Sequence, residues 1–153
     1  MTVSTVGKYQ IGDIAIDGFL SNHDEKNGAL RGKNIVFTIE ADGYKLCHLG
    51  DIGEACSPEI LKNIGKVDVL LIPIGGTYTI DAKGAKKYVD AIAPQLVIPM
   101  HYRPTDGKLD IADEKEFLAF YNKVYSVCED GIIDLENVFE NKDRLVFMKR
   151  RKV

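Results

Sequence analysis

Three histidines and one aspartate hold positions in this sequence from which they could do chemistry. His23 lies in Ser-Asn-His-Asp, His48 and Asp51 bracket His-Leu-Gly-Asp, and His101 follows Ile-Pro-Met. Each sits at or beside the junction between an extended run and a loop. Ligands of α/β sheets collect in the crevice outside strand ends, where residues from separate strands converge without strain in any one segment. Neutral imidazole nitrogens and a carboxylate oxygen suit zinc or a similar first-row ion. A carboxylate can also bridge two ions, and paired ions activate water for hydrolysis. Asp24, next to His23, could orient a ligand by hydrogen bonding to it. Spacing alone leaves a second reading open. His23 and Asp51 are 28 positions apart and Asp51 and His101 are 50 apart, which matches no short metal motif. A histidine at a strand end also serves simply to satisfy backbone groups.

The elements that must position these residues are legible from periodicity and turn chemistry. Tyr9 to Ile16 alternates apolar and polar residues, as a half-buried strand does. Ser21 to Lys33 is polar and carries Gly28 and Gly32, so a loop is expected there. Asn34 to Glu40 and Tyr44 to Leu49 alternate on either side of Asp42-Gly43, a strong hairpin signal. Ser57-Pro58-Glu59 opens a short helix ending near Gly65, with serine as the cap and proline in the first turn. Val67 to Ile72 reads as a strand covered on both faces. A helix is expected from Asp81 through Ala91, then a strand over Leu96 to Ile98. A longer helix is expected from Asp113 to Cys128, capped by Asp113 with Glu116 completing a capping box, and a last short strand over Leu145 to Met148. An antiparallel hairpin followed by strand–helix alternation makes one α/β domain over residues 1–153, a mixed β-sheet with flanking helices.

Bulk composition narrows the function classes. The chain has 153 residues, 45% of them hydrophobic and 28% charged, the balance of a globular domain. A net charge of -3 gives no general field for nucleic acid or anionic lipid, so neither nucleic-acid nor membrane partners are expected. The one basic cluster is Lys149-Arg150-Arg151-Lys152, a terminal run of the kind that keeps a chain end in solvent. Cys47, Cys56 and Cys128 are widely spaced, with no CxxC pair. They imply a reduced, cytoplasmic setting. Cys47 and Cys128 fall where packing is the simpler role than nucleophilic attack.

The run from His23 to Tyr102 resembles the C-terminal half of UlaG-like metallo-β-lactamase-fold hydrolases. The resemblance rests on the hairpin leading to His48-Leu49-Gly50-Asp51 and on Val67 through Asp81 (VDVLLIPIGGTYTID). It rests also on Pro94 through Tyr102 (PQLVIPMHY). It implies the second half of an αββα sandwich and a metal-activated water attacking an ester, amide or phosphoester. By the same resemblance His23, Asp51 and His101 are metal ligands, and Asp51 also has a catalytic part. His48 has a supporting role, and Gly75, Gly76, Thr77 and Tyr78 border the substrate. The implied cofactor is zinc, or manganese or iron, and the substrate a small molecule of unspecified identity.

One departure qualifies the expected activity. The family's HxHxDH loop has no counterpart here, and the first 22 residues contain no histidine. Those residues are too few to supply the missing αβ layer. Two histidines and an aspartate could hold one ion with open positions, without the groups that place the attacking water. The expectation is a hydrolase that is incomplete or weakly active as this chain alone. Its exposed sheet would be covered by a homo-oligomer or by a second chain carrying the N-terminal half. The alternative expectation is a non-catalytic, oligomerising or partner-binding relative with a vestigial metal site.

Overall fold

A computed structural model describes residues 2–122, 124–142 and 144–148; the basic cluster at Lys149–Lys152 lies outside them. The chain forms a mixed sheet flanked by helices. Strands β1 (Gly7–Ile11), β2 (Ile14–Asn22), β3 (Lys33–Ala41) and β4 (Tyr44–His48) pair antiparallel in sequence order. Strands β5 (Val69–Pro73) and β6 (Leu96–Met100) then join parallel to β4. The crossovers carry helices α1 (Pro58–Ile64) and α2 (Ala82–Ile92). Their starts follow the expected chemistry: the Ser57 hydroxyl accepts from the Ile60 amide and the Asp81 carboxylate from that of Gly84. Asp42 and Gly43 both take positive φ, 51° and 80°, in the tight turn between β3 and β4.

Two expectations are corrected. Tyr9–Ile16 is not one strand but a hairpin, with Ile11 paired to Ile14 and Tyr9 to Ile16. Gly12, at φ 57°, supplies the first central residue of the two-residue turn, and that turn leaves the apolar residues of both strands on one face. The helix expected over Asp113–Cys128 is only α3 (Lys115–Ala119). Glu114, not Asp113, is its N-cap residue and makes no capping bond, while Asp113 accepts from the Lys115 amide instead. Asn122 at φ 51° ends the helical path. Ser126–Cys128 becomes strand β7, paired parallel to β8 (Val146–Met148). Tertiary pairing with β8 overrode the helical periodicity of this stretch. A further helix, α4 (Leu135–Glu140), lies between them, capped by Asp134.

The sheet faces differ in cover. On one, Val36, Cys47, Leu70, Ile72 and Val97 pack with Ile60 and Ile64 of α1 and Tyr88, Val89 and Ile92 of α2. On the other, Leu46, Leu71 and Ile98 lie under Leu135, Val138 and Phe139 of α4 and Val146 and Met148 of β8. That second face continues across β1–β3. Register and alternation place Ile14, Ile16, Leu20, Ile35, Phe37 and Ile39 there, and Ile14 and Leu20 are 40% and 56% exposed. No helix among the described residues is long and apolar enough to cross a membrane.

Candidate functional site

Because β2 and β4 are both antiparallel to β3, and β5 and β6 are parallel to β4, four strands run in one direction. Their C-terminal ends therefore lie along one edge of the sheet. β2 ends into His23, β4 into Leu49-Gly50-Asp51, β5 into Gly75-Gly76, and β6 into His101. Residues spread over 79 positions of sequence (23 to 101) reach a common edge through strand direction alone.

His23 and Asp51 are brought together, with Nε2 of His23 3.9 Å from Oδ2 of Asp51. The imidazole is a quarter exposed and the aspartate side chain 54% exposed, so the pair opens to solvent on the aspartate side. His23 Nε2 is buried and has no hydrogen-bond partner, and His101 Nδ1 is in the same state. Buried polar atoms are normally satisfied, so an orphan calls for a reason. With Tyr121 Oη, these two nitrogens make up the unpartnered buried side-chain polar atoms among the described residues, and both belong to predicted ligands. The convergence expected of His23, Asp51 and His101 is only partly formed. No group of three or more His, Cys, Asp or Glu side chains placed to hold one ion occurs among the described residues. His101 Nδ1 lies beside Gly75, 3.4 Å from where a Cβ on that glycine would stand. The donors therefore fit a divalent ion in type and in being unsatisfied, and they fit it as part of a ligand set.

The supporting residues are those that shape the loops. Asp24 is buried, and its carboxylate takes four backbone amides: Lys26 at 2.8 Å, Gly28 at 3.0 Å, Leu30 at 3.1 Å and Arg31 at 2.8 Å. Burial pushes this carboxyl upward, but the four donors outweigh it and hold the group below its ordinary range. Asp24 thus spends its oxygens on folding the loop after His23 rather than on a ligand. His48 Nδ1 accepts from the Gly50 amide at 3.0 Å, which shapes the turn into Asp51. Burial drives the His48 imidazole below its ordinary value, partly countered by the Asp51 carboxylate. The neutral ring is the form that can accept there.

Sequence reasoning passed over three residues that carry much of this geometry. Asn34 donates to Ser21 Oγ at 2.7 Å and to the Leu49 carbonyl at 2.8 Å, and accepts from the Asp51 amide at 2.9 Å. Gly53 packs so closely on His23 that a Cβ would collide with the His23 carbonyl, and Gly75 stands in the same relation to the His101 carbonyl. Glu54 takes the Asn22 amide at 2.5 Å and its side-chain nitrogen at 2.8 Å. A polar asparagine heading a strand, and a glycine two residues past Asp51, were the available signals. His101 itself sits at φ 51° and Thr77 at φ 56°, uncommon for non-glycine residues and a genuine outlier for β-branched threonine. Among the cysteines, burial pushes the Cys47 thiol up to about 12, which removes it as a nucleophile.

A family model described as a beta-lactamase superfamily domain matches residues 1–101. The chain belongs to that superfamily. A UPF0173 metal-dependent hydrolase of Thermoplasma acidophilum is 35% identical over 119 residues, 77% of this chain and 52% of that protein. Another, from Thermococcus onnurineus, is 42% identical over 96 residues, 57% of this chain and 43% of its own length. The chain thus spans about half the length of these curated relatives. Among solved structures, a candidate Zn-dependent hydrolase of the metallo-beta-lactamase superfamily from Thermotoga maritima superposes with a TM-score of 0.77 at 32% identity. That match covers 95% of this chain and 70% of the other. A metallo hydrolase from Ignicoccus hospitalis, at 20% identity and TM-score 0.61, shares the fold. The superfamily implies a metal cofactor, and the metallo-β-lactamase resemblance read from the sequence is thereby established.

Proposed function

We propose that this chain supplies His23, Asp51 and His101 to the metal centre of a hydrolase whose remaining ligands come from an HxHxDH-bearing N-terminal half. Zinc suits the donors best, with manganese or iron compatible. The observation that carries the reading is the pair of orphaned imidazole nitrogens, His23 Nε2 and His101 Nδ1, at strand ends on one edge of the sheet, with the Asp51 carboxylate beside one of them. When bound, a divalent ion supplies a lowered pKa for water and compensation for charge developing on an ester, amide or phosphoester under attack. The chain's own residues do the rest. Asp51, half exposed and fixed by Asn34 through its backbone, presents an oxygen that can accept a hydrogen bond from the attacking water. Gly53 and Gly75 hold His23 and His101 against the sheet edge. Alone the chain is weakly active or inactive. Zinc titration by competition with a fluorescent chelator tests this: uptake that His23→Ala and His101→Ala each weaken by about tenfold or more supports it. Uptake unchanged in both variants, or none in the parent chain, overturns it.

A second reading has an observation of its own. The three predicted ligands do not close into a set among the described residues, and the apolar face around Ile14 and Leu20 stands exposed. Both features suit a non-catalytic relative that self-associates, most simply as a two-fold homodimer. Size-exclusion chromatography with metal analysis separates the readings: a metal-free dimer that hydrolyses nothing supports the second.

A further inference from the structure

Beside His23 lies a cleft of about 430 Å³ whose walls include His23, Arg31, Gly53, Thr77, Tyr78 and Asp81, a volume in the range of small-molecule sites. One wall is the loop that begins at His23 and is folded by Asp24. The other is the loop after β5. The Arg31 guanidinium stands over the Tyr78 ring at 5.5 Å from its centroid, so a cation–π contact joins the two walls. Among the described residues Arg31 forms no ion pair, and it lines the cleft with its guanidinium committed to the Tyr78 ring alone.

The placement is built rather than incidental. Asp24 binds the Arg31 amide at 2.8 Å and follows His23 directly, so one buried carboxylate fixes Arg31 relative to the candidate ligand. On the opposite wall Gly76 and Thr77 both take positive φ, 63° and 56°, and the Tyr78 amide closes back on the Gly76 carbonyl at 2.6 Å. This tight three-residue turn forces Tyr78 outward, and its ring is where the guanidinium lies. Acidic groups also line the cleft. Asp24 and Asp81 already accept backbone amides, and Glu25 is exposed at the rim. Three carboxylates against one guanidinium give the lining no positive field, so selection here works by contact with a planar fork, which matches an oxyanion two bonds at a time.

We propose that Arg31, held on the Tyr78 ring, is the specificity residue for a substrate that carries an oxyanion, a carboxylate or a phosphate group, apart from the bond presented to His23 and Asp51. The assignment of the far end to bond cleavage rests on the hydrolase reading above; the anion subsite itself does not. The test is an amide NMR titration of the metal-free full chain with inorganic phosphate, with acetate, and with glycerol as the uncharged control. Saturable shifts at Arg31, Thr77 and Tyr78 with an anion and none with glycerol are expected. Phosphate alone giving them assigns a phosphorylated substrate, and acetate alone a carboxylic acid. Arg31→Ala should weaken binding by about tenfold or more, and Arg31→Lys by nearly as much because it keeps the charge and loses the fork. Tyr78→Ala, which frees the guanidinium, should cost about threefold. No saturable response to either anion, or one that Arg31→Ala leaves unchanged, overturns the proposal. Anion binding in a chain that takes up no zinc would sink the hydrolase reading and leave this subsite standing. Zinc uptake without an Arg31-dependent anion response would do the reverse.

Discussion

His23 and His101 leave parallel strands at the same edge of the sheet, yet they are held in contrasting ways. The His23 end is fixed by polar side chains. Asp24 gathers four amides of the following loop, Asn34 ties Leu49 and Asp51, and Glu54 takes two donors of Asn22. The His101 end is fixed by backbone. The residue sits at φ 51° against Gly75, and the chain beyond is tied by Arg103 donating to Ala112 and Ala112 to Gly75, at 2.9 and 2.8 Å. A carboxamide or carboxylate that bonds several amides sets the loop and its ligand together. Backbone packing sets the position of a residue without setting its side chain against a partner. That difference matches the outcome at the site, where His23 lies 3.9 Å from Asp51 and, among the described residues, His101 pairs with no carboxylate.

The sharpest way to break this contrast is Asn34→Ala. It removes three hydrogen bonds, leaving the Ser21 hydroxyl and the Leu49 carbonyl without that partner in part-buried positions and the Asp51 amide to solvent. The expected loss is about 3 kcal/mol, from roughly 1 kcal/mol per bond, read by urea unfolding. Amide exchange at Asp51 should quicken while exchange at Ala112 keeps pace only with the global change. Equal extra quickening at Ala112 would show that the two ends are one unit.

Next come the glycines, which make a matched pair. Gly53→Ala and Gly75→Ala each drive a methyl into a histidine carbonyl, at an expected cost of about 1–3 kcal/mol apiece. The Gly53 variant should disturb the His23 ring resonances and spare those of His101, and the Gly75 variant should do the opposite. Either variant melting like the parent chain would mean that its close approach carries no constraint.

How much of this was legible depended on whether a residue's task was local. The Asp42-Gly43 turn, the Ser57 and Asp81 caps and the strand ending at Ile98 and beyond were readable because neighbouring residues decide them. So was the edge that carries His23, Asp51 and His101, since hairpin and crossover connectivity dictates which strand ends coincide. The stretch from Ser126 to Cys128 was misread because its partner, Val146–Met148, lies some twenty residues on, and helical spacing of apolar residues cannot reveal such a pairing. Asn34 and Gly53 were invisible for a related reason: their importance lies in what a distant segment places against them. Asp24 was visible as a polar neighbour of His23, but only the folded loop shows that its oxygens are spent on amides.

Acid separates the two ends further. The Asp24 carboxyl is held below its ordinary value by its amide donors, against the opposing effect of burial. Its contribution is therefore fully present above the unfolded value near pH 4, and it is lost as pH falls through the lower folded value. Exchange protection at Lys26, Gly28, Leu30 and Arg31 should hold from neutrality to about pH 4 and fall away below it. Asp24→Asn, with one acceptor oxygen in place of two, should lack part of that protection already at neutral pH. Protection at Ala112, tied only to backbone, should show no such step. A step common to both ends would point to global acid unfolding and remove Asp24 as its local cause.

The smallest effect tests the backbone account of His101 alone. A non-glycine residue at positive φ costs about 1–2 kcal/mol, and His101 bears that cost at φ 51°. His101→Gly relieves it while adding about 0.5–1 kcal/mol of chain entropy to be lost on folding. Stability should therefore stay within about 1 kcal/mol of the parent chain, on the favourable side. His23 is not among the positive-φ residues, so His23→Gly gains no such relief and should destabilise. Equal losses in the two variants would mean that the His101 side chain, and not its backbone, secures that strand end. In that case its orphaned Nδ1 would reflect a ring locked by packing rather than one left open to a ligand.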